Sequence, residues 1–379
     1  MTAEDRGCNH YWSSRFQKLL TSMAAPALVK SERKRRIMKR KLPLLLSVFG
    51  CALGVAAGDA GAQAKYNLRW GHYLADGPFV QLEKDFASAI EKRTNGQVKI
   101  TITFAEGLGK TTELLVLTAK GAIDMTATAP GYNPDQLHYW RAFQTPLVFT
   151  SSKQAMDVLV KVVEEFPIYK QEMDRAGVVW LFQQPLGEYY LSGPSPDCDG
   201  VAKLKGKKIR SFGADIPKAF SAIGAVPVTV APTAIYEALQ HGTLDYSFIN
   251  PGNIQQYRLV EVGKHHCGPV MAITGHNITI SKRTWGRLPK DIQNVFMDQS
   301  RKTMQDYLAW VGDFEKKAVA NIKEKGGTFK PFPAEELKKW KAASPDFLEA
   351  WEKATAAATK DAETPKKVAA RWRQLLSQQ

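Results

Sequence analysis

The chain has 379 residues, enough for two domains of ordinary size. Hydrophobic residues make up 44% of it and charged residues 23%, which is the composition of a globular protein. The formal net charge is +15, but residues 1–64 alone carry eleven Lys and Arg against four Asp and Glu. The charges of the remaining residues are scattered and mixed in sign, which argues against a nucleic-acid-binding protein. Their mildly basic balance suits the attraction of anionic solutes.

The first 64 residues are typical of a segment that the mature protein lacks. We interpret residues 1–37 as a non-native N-terminal extension, since they show no periodic apolar pattern. Residues 38–64 have the basic, apolar and small-residue regions of a secretory signal peptide. Cleavage after Ala64 would place the protein in the periplasm. The apolar run is shorter than the ~20 residues of a spanning helix, and a membrane anchor or a lipoprotein signal at Cys51 are the alternatives.

Residues 66–125 alternate between strand and helix patterns. Apolar residues at every second position predict strands over 66–70 and 98–104, and a third strand begins at Ile123. Helical spacing of apolar residues over 79–90 and a leucine cluster at 114–117 predict the two intervening helices. The segment is therefore expected to fold as β-α-β-α-β.

Residues 153–193 lead from this first unit toward a second. Apolar residues at helical spacing predict an amphipathic helix over 153–166, and the β-branched run 178–182 predicts a strand. Residues 183–193 are expected to cross between domains.

Residues 204–251 form the most informative stretch of the chain. Strand patterns at 208–212, 226–230 and 244–249 alternate with two short helices, which end at Gly224 and Gly242. This alternation predicts a parallel sheet with helices on its faces, in which ligands bind at the carboxyl ends of the strands.

Two polar residues lie near such strand ends in this stretch, Arg210 and Asn250. The planar guanidinium of arginine matches a carboxylate with two parallel hydrogen bonds and stays charged in a closed site. An asparagine adds a neutral donor and acceptor. From spacing alone, Arg210 could equally be a surface residue beside the neighbouring lysines.

The C-terminal part is mostly helical. A strand pattern over 267–280 is expected to recross between domains, and a long helix follows over 290–325, far beyond the ~11–12 residue mean. A short strand at 329–332 precedes a helical segment that runs from 334 to 379.

These motifs resemble the extracytoplasmic solute-binding subunit of tripartite ATP-independent periplasmic (TRAP) transporters, the C4-dicarboxylate-binding family. Four blocks match the family's pattern in order: LKGKKIR at 204–210, IGAVP at 223–227, IYEALQHGTLD at 235–245 and NP at 250–251. The start LRWGH, the TNGQVKI segment and the GAIDM strand extend the likeness over most of residues 65–379.

The resemblance implies a two-lobe α/β periplasmic binding protein of type II-like fold, with crossover strands and a long helix bridging the lobes. Residues 65–187 and 276–315 would form lobe I, and residues 188–275 and 316–379 lobe II. In this family the first-block arginine pairs with the substrate carboxylate, and an asparagine of the last block contacts the ligand; these positions are Arg210 and Asn250.

Three further residues complete the predicted ligand site. Phe212 lies two positions beyond Arg210 and so points to the same side of the strand. Tyr190 stands where some members of the family have a second arginine, which implies a ligand with one clamped carboxylate and argues against a simple four-carbon dicarboxylate. His72 follows the first strand and either contacts the ligand or caps a loop.

Other chemistry finds little support in the sequence. There is no nucleophile elbow, Walker loop or dinucleotide fingerprint, so we expect no enzyme and no cofactor. His265 and His266 are adjacent in a strand pattern and point in opposite directions, which argues against a metal site. Cys198 and Cys267 could pair in an oxidising compartment, but spacing alone leaves the disulfide open.

The resemblance predicts a periplasmic receptor that captures an organic acid and delivers it to TRAP membrane permease subunits. We expect it to be a monomer. The alternatives are a secreted α/β enzyme that acts on an organic acid, and a binding subunit of an ABC transporter or sensor.

Overall fold

The structure is a computed structural model, and it describes residues 64–378. The predicted extension, residues 1–37, and the signal peptide up to residue 63 lie outside the described residues. Within residues 64–378 no helix combines the length and the apolar character needed to cross a membrane.

The described part contains eleven strands and thirteen α-helices, numbered here in chain order. The first elements are β1 (Tyr66–Gly71), α1 (Gln81–Arg93), β2 (Val98–Thr103), α2 (Leu114–Ala119), β3 (Met125–Thr128), α3 (Ser152–Glu165), α4 (Ile168–Arg175) and β4 (Val178–Gln184). The middle elements are β5 (Tyr189–Gly193), α5 (Val201–Leu204), β6 (Lys208–Ser211), α6 (Ile216–Ala222), β7 (Val226–Thr229), α7 (Ile235–Gln240), β8 (Ser247–Ile249), α8 (Pro251–Gln256) and β9 (His265–Met271). The last are β10 (His276–Ser281), α9 (Lys282–Arg287), α10 (Lys290–Glu324), β11 (Thr328–Lys330), α11 (Ala334–Ala343), α12 (Phe347–Thr359) and α13 (Glu363–Ser377).

The first lobe is built on a five-stranded sheet in the order β2-β1-β3-β10-β4. Strand β1 runs parallel to β2 and β3, whereas β10 is antiparallel to both β3 and β4. Trp70, Met125 and Ile280 are fully buried in the sheet's core. Aromatic rings join the sheet to its helices, since Phe86 of α1 lies 4.9 Å from Phe182 of β4 and 6.0 Å from Phe296 of α10, measured between ring centroids.

The second lobe contains a four-stranded sheet in the order β11-β9-β5-β8 and a parallel pair, β6 with β7. The pair joins the sheet edge through a bridge between Ile209 and Tyr246, and the Arg210 N–H donates to the Tyr246 carbonyl at 2.9 Å. Strand β6, and with it Arg210, is therefore fixed beside the start of β8.

Two direct strand-to-strand connections cross between the sheets, from β4 to β5 and from β9 to β10. These crossings pack tightly, because a Cβ at Gly275 would lie 2.1 Å from the Gln184 carbonyl oxygen. Helix α10, 35 residues long, packs on α1 and β4 of the first lobe and on α8 and β11 of the second. The predicted two-lobe α/β fold with crossover strands and a long bridging helix is confirmed.

The C-terminal segment divides between the lobes, in contrast to the predicted lobe II of 188–275 plus 316–379. Helix α11 packs on the second lobe, where the Trp340 indole N–H donates to the Ala219 carbonyl at 2.7 Å. Helices α12 and α13 instead pack against first-lobe residues, with Trp372 stacked 4.9 Å from Phe143. Their tryptophans bury most surface against that aromatic cluster, so packing places residues 347–377 with lobe I. The other lobe boundaries stay a prediction.

Cys198 and Cys267 form a disulfide, which the sequence left open. Their Cα atoms lie 5.6 Å apart, and the bond closes a loop over 69 positions of the chain. It ties the segment before α5 to β9 and thereby links the lobe's outer segment to its central sheet.

Replacing both cysteines with serine should lower the free energy of unfolding by about 2–4 kcal/mol, because the unfolded chain regains the entropy of a long loop. Urea unfolding of the chain from residue 65 would measure this. Dithiothreitol should lower the stability of the parent protein to that of the double variant and leave the variant unchanged. Equal stability of the two proteins without reductant would contradict the pairing.

Candidate functional site

Arg210 is the centre of the candidate site. Its side chain is buried, with 2% of the residue exposed, although it leaves strand β6 at the edge of the second lobe's sheet. The guanidinium donates from Nε to the Val230 carbonyl at 3.0 Å and from Nη1 to the Phe248 carbonyl at 2.9 Å. It also donates from Nη2 to the Tyr132 hydroxyl at 3.1 Å.

These three bonds leave part of the guanidinium free. Arginine has five N–H donors, so one N–H remains on each of Nη1 and Nη2. The Nε side is already occupied by Val230. A carboxylate can therefore approach the end of the fork and accept both remaining N–H groups.

Arg210 lines a small cavity. Its wall combines residues from both sheets: Tyr73, Leu74, Ala129, Tyr132, Gln144, Leu186, Tyr189, Arg210, Phe212, Pro232, Ile249 and Asn253. Apolar and aromatic side chains dominate this wall, and a few polar groups converge on it, as in small-molecule sites.

Phe212 lines the same cavity as Arg210, and its contact with a ligand stays a prediction. The Arg210 Cζ atom lies 4.6 Å from the centre of the Phe212 ring, within the range of a cation–π interaction. The ring also stacks on Phe248 at 6.2 Å. Phe212 therefore orients the guanidinium as well as lining the wall.

The structure places Asn250 and Tyr190 away from this cavity. The Asn250 amide donates to Glu315 Oε1 of α10 at 3.1 Å, and its Oδ1 accepts from Asn253 at 2.6 Å. Tyr190 packs against Phe329 and lines a separate groove beside α10. Their direct contact with a ligand stays a prediction, and this geometry does not support it.

His72 also lies outside the cavity, in a buried cluster with Glu83 and His276. The His72 Nε2 atom lies 2.6 Å from Glu83 Oε2, and His276 Nε2 lies 2.9 Å from Glu83 Oε1. The Leu74 N–H donates to His72 Nδ1 at 2.9 Å, so the loop-capping interpretation of His72 describes its observed role. Its neighbour Tyr73 is the residue that faces the cavity.

The three side chains of this cluster are close enough to hold a metal ion, with ligand atoms within 4.8 Å of one another. The donor set does not fit one, however. Because the Leu74 N–H occupies the His72 Nδ1 lone pair, the ring proton lies on Nε2, which then has no lone pair for a metal. The cluster is better described as a hydrogen-bonded anchor for β1 and β10.

Charges in the cluster are set by burial and by the contacts with Glu83. Burial alone would raise the pKa of the Glu83 carboxyl, but its electrostatic interaction with His72 and the hydrogen bonds from the imidazoles lower the pKa to about 2. Burial also lowers the pKa of His276, which favours the neutral imidazole. An ionised Glu83 thus accepts from His276 Nε2–H.

The His265-His266 pair behaves as the sequence suggested. His266 is buried, with Nδ1 2.6 Å from the Ser192 hydroxyl, whereas His265 lies on the other face beside Thr328. The two rings do not converge.

Sequence reasoning missed three polar wall residues, Tyr73, Gln144 and Asn253. Tyr73 comes shortly after the strand predicted to end at 70, and Asn253 shortly after the strand predicted to end at 249. Their positions just beyond strand ends could have marked them as candidate wall residues. Tyr132 follows β3 by four residues, and its bond to Arg210 could not be foreseen because the two residues are 78 positions apart.

Taken with the fold, this cavity defines a two-lobe solute-binding protein with a buried cation in its site. A family model for bacterial extracellular solute-binding proteins, family 7, matches residues 72–354. The chain belongs to this family, which confirms the resemblance to TRAP receptors.

Two curated relatives share slightly more than a quarter of the aligned residues. An uncharacterized protein of Sinorhizobium fredii is 28% identical over 69% of this chain, and the match spans about half (48%) of that protein's length. A C4-dicarboxylate-binding periplasmic protein of Rhodobacter capsulatus is 26% identical over 77% of this chain and 88% of that protein.

Solved structures show the same fold at lower identity. A Bordetella pertussis extracytoplasmic solute receptor binding pyroglutamic acid superposes with a TM-score of 0.73 and 18% identity, over 81% of this chain and 99% of that chain. A TRAP solute-binding protein of Desulfovibrio salexigens with bound orotic acid gives 0.73 and 20%, over 83% and 99%. The proteins of this fold thus bind different organic acids.

Glu83→Gln should lower the free energy of unfolding at neutral pH by about 1.5–3 kcal/mol, because the hydrogen bonds between the imidazoles and a charged carboxylate are lost. Folding lowers the Glu83 pKa from 4.5 to about 2, so its stabilisation is complete above the unfolded value and is lost as the pH falls toward the folded value. The gap between parent and variant in urea unfolding should therefore narrow from about pH 5 to about pH 3.

An exposed carboxyl on the same helix provides the control. Asp85→Asn should show neither the loss at neutral pH nor the narrowing. A Glu83→Gln gap that stays constant over this pH range would contradict an ionised Glu83 in the folded protein.

Proposed function

We propose that the chain is the periplasmic receptor of a TRAP transporter and captures an organic acid in the Arg210 cavity. One observation carries this proposal. Arg210 is almost fully buried, yet within residues 64–378 no Asp or Glu lies at ion-pair distance from it. A buried cation needs an anionic partner, and its contacts are two carbonyls and a phenol.

A ligand carboxylate would supply the negative charge that no described Asp or Glu provides beside Arg210. Its two oxygens accept the free N–H groups of Nη1 and Nη2. Tyr132 adds a third donor, because its oxygen already accepts from Arg210 and its own proton is free. Burial raises the pKa of Tyr132, which keeps that proton on the hydroxyl.

Ligand capture would be coupled to lobe movement. Tyr132 lies in the proposed lobe I and Arg210 in lobe II, so their hydrogen bond crosses the cleft. Gly131 and Gly213 also meet there, since a Cβ on Gly131 would lie 3.5 Å from the Gly213 Cα. A carboxylate bound to both Arg210 and Tyr132 would favour the closed arrangement, and opening would accompany release.

The remaining elements of the proposal follow from membership of the family. The receptor would act in the periplasm after signal cleavage, as a monomer, and would deliver its acid to the two membrane subunits of a TRAP permease. Binding without turnover is expected, since the cavity's polar groups serve as donors and acceptors for a carboxylate-bearing ligand.

Arg210→Ala should abolish ligand-induced thermal stabilisation by organic acids, because the carboxylate loses its only buried cation. In the parent protein, a ligand at 100 times its Kd adds about 2.7 kcal/mol of stability. Differential scanning fluorimetry of the chain from residue 65 against an acid panel would measure this, with NMR of the recovered acid to test for turnover.

Two further variants make the result interpretable. Arg210→Lys keeps the charge but cannot form two parallel bonds, so binding should weaken at least tenfold while the fold is kept. Arg301→Ala, which removes an exposed arginine of α10, should bind as the parent does. Unchanged binding by Arg210→Ala would refute the proposal, and so would chemical conversion of the acid.

A further inference from the structure

We propose that the acid carries, besides its carboxylate, at least one hydrogen-bond donor, a hydroxyl or an N–H, and that Tyr73 and Asn253 select for it as acceptors. This rests on the proposed role of Arg210 as the carboxylate clamp. It goes further because it assigns hydrogen-bond donors to one part of the cavity wall and acceptors to another part.

The buried cluster of His72, Glu83 and His276 determines whether the Tyr73 hydroxyl donates or accepts a hydrogen bond in the cavity. Glu83 only accepts, so the Nε2 of His276, 2.9 Å away, carries the ring proton. The neutral imidazole then has its lone pair on Nδ1, which lies 3.1 Å from the Tyr73 hydroxyl. Tyr73 must donate its only proton to His276. Its oxygen can therefore offer the cavity lone pairs alone.

A second hydrogen-bonded chain fixes Asn253 in the same sense. The Glu315 carboxyl accepts from the Gly252 N–H at 3.2 Å and from the Asn250 amide at 3.1 Å. Asn250 Oδ1 in turn accepts from the Asn253 amide at 2.6 Å. Asn253 lines the cavity, and its Oδ1 is buried and has no hydrogen-bond partner within the described residues. An unpaired buried carbonyl of this kind needs a donor from a ligand.

Tyr132 has the reverse polarity, although it is also a tyrosine of the same wall. Its oxygen accepts from Arg210 Nη2, so its proton is free to donate. The rings of Tyr73 and Tyr132 lie 6.0 Å apart, and both residues line the same small cavity. The cavity thus presents donors to a carboxylate and acceptors to a hydroxyl or N–H.

This arrangement discriminates against two other kinds of acid. A second carboxylate would meet the acceptor oxygens of Tyr73 and Asn253, and Arg210 is the only cation among the residues that line the cavity. An acid without a donor would leave both acceptors buried and unpaired. Sites built to bond a substrate hydroxyl reject the analogue that lacks it much more strongly than apolar pockets reject a missing methylene.

Matched acids test the inference by titration calorimetry on the chain from residue 65. Each set holds a donor-bearing monoacid, its donor-free analogue and a diacid of similar size: D-gluconate, hexanoate and adipate, then 3,4-dihydroxybenzoate, benzoate and terephthalate, then 5-oxoproline, cyclopentanecarboxylate and cyclopentane-1,3-dicarboxylate. The tightest binder should be a donor-bearing monoacid, at least tenfold tighter than its two partners.

Variants assign the preference to Tyr73. Tyr73→Phe keeps the ring and should reduce the ratio of affinities between the tightest acid and its donor-free partner by about tenfold. Tyr246→Phe is the matched control, because it removes a hydroxyl bonded to the Asp197 carbonyl outside the cavity, and it should leave the ratio unchanged. Asn253→Leu should act in the same direction as Tyr73→Phe, with circular dichroism confirming that each variant is folded.

The outcomes separate the two proposals. If the tightest binder is a diacid or a donor-free acid, or if the ratio does not change in folded Tyr73→Phe and Asn253→Leu proteins, the acceptor assignment is wrong while capture of an acid by Arg210 stands. If no acid of the panel binds to the parent protein, the proposed function itself fails and this inference fails with it.

Discussion

The guanidinium of Arg210 sits almost entirely out of water with carbonyl and phenol oxygens around it but no carboxylate. Such a group is costly to bury, and the surrounding fold is arranged to hold it. Strand β6 is fixed to the start of β8 through Tyr246, which brings the Phe248 carbonyl to Nη1. Phe212 covers one face of the guanidinium. With these contacts made, the only N–H groups left are those at the end of the fork, where a bound anion would lie.

Two helices beside the site each carry a buried carboxyl. These carboxyls determine whether the other polar groups of the cavity wall donate or accept hydrogen bonds. Glu83 of α1 acts through His276 on Tyr73, and Glu315 of α10 acts through Asn250 on Asn253. The histidines lower the pKa of Glu83 to about 2, so it acts as an ionised acceptor, whereas burial raises the pKa of Glu315 to about 8. Glu315 therefore acts through Oε1, which accepts from the Asn250 amide and the Gly252 N–H and can do so as the carbonyl oxygen of a protonated carboxyl. Residues that never touch the cavity therefore decide the direction of the hydrogen bonds inside it, which explains why Asn250 is buried behind the site.

Several parts of this protein could be predicted from its sequence, because they depend on local patterns. Alternating strands and helices predicted the parallel pairing of β1 with β2 and β3 and of β6 with β7, although β8 pairs antiparallel with β5 in another sheet. The helical pattern over 290–325 predicted α10, which spans Lys290–Glu324. The position of Arg210 at a strand end and the same-side position of Phe212 follow from the period of a strand. The assignment of residues 347–377 to the second lobe, by contrast, depended on tertiary packing and not on a local pattern. The sequence indicates that these helices have apolar faces, but it does not indicate which lobe those faces pack against.

What the sequence by itself determined is the class of the fold, which follows from periodicity and from the family's motifs, whereas the spacing of Arg210 left its burial open. Tertiary structure alone decided the hydrogen-bond partners. Tyr73 and His276 are 203 positions apart, and Asn250 and Glu315 are 65 apart. Nothing in the local spacing of these residues records that they meet. Hydrogen bonds need partners within about 3 Å, and only the folded chain brings together groups so distant in sequence.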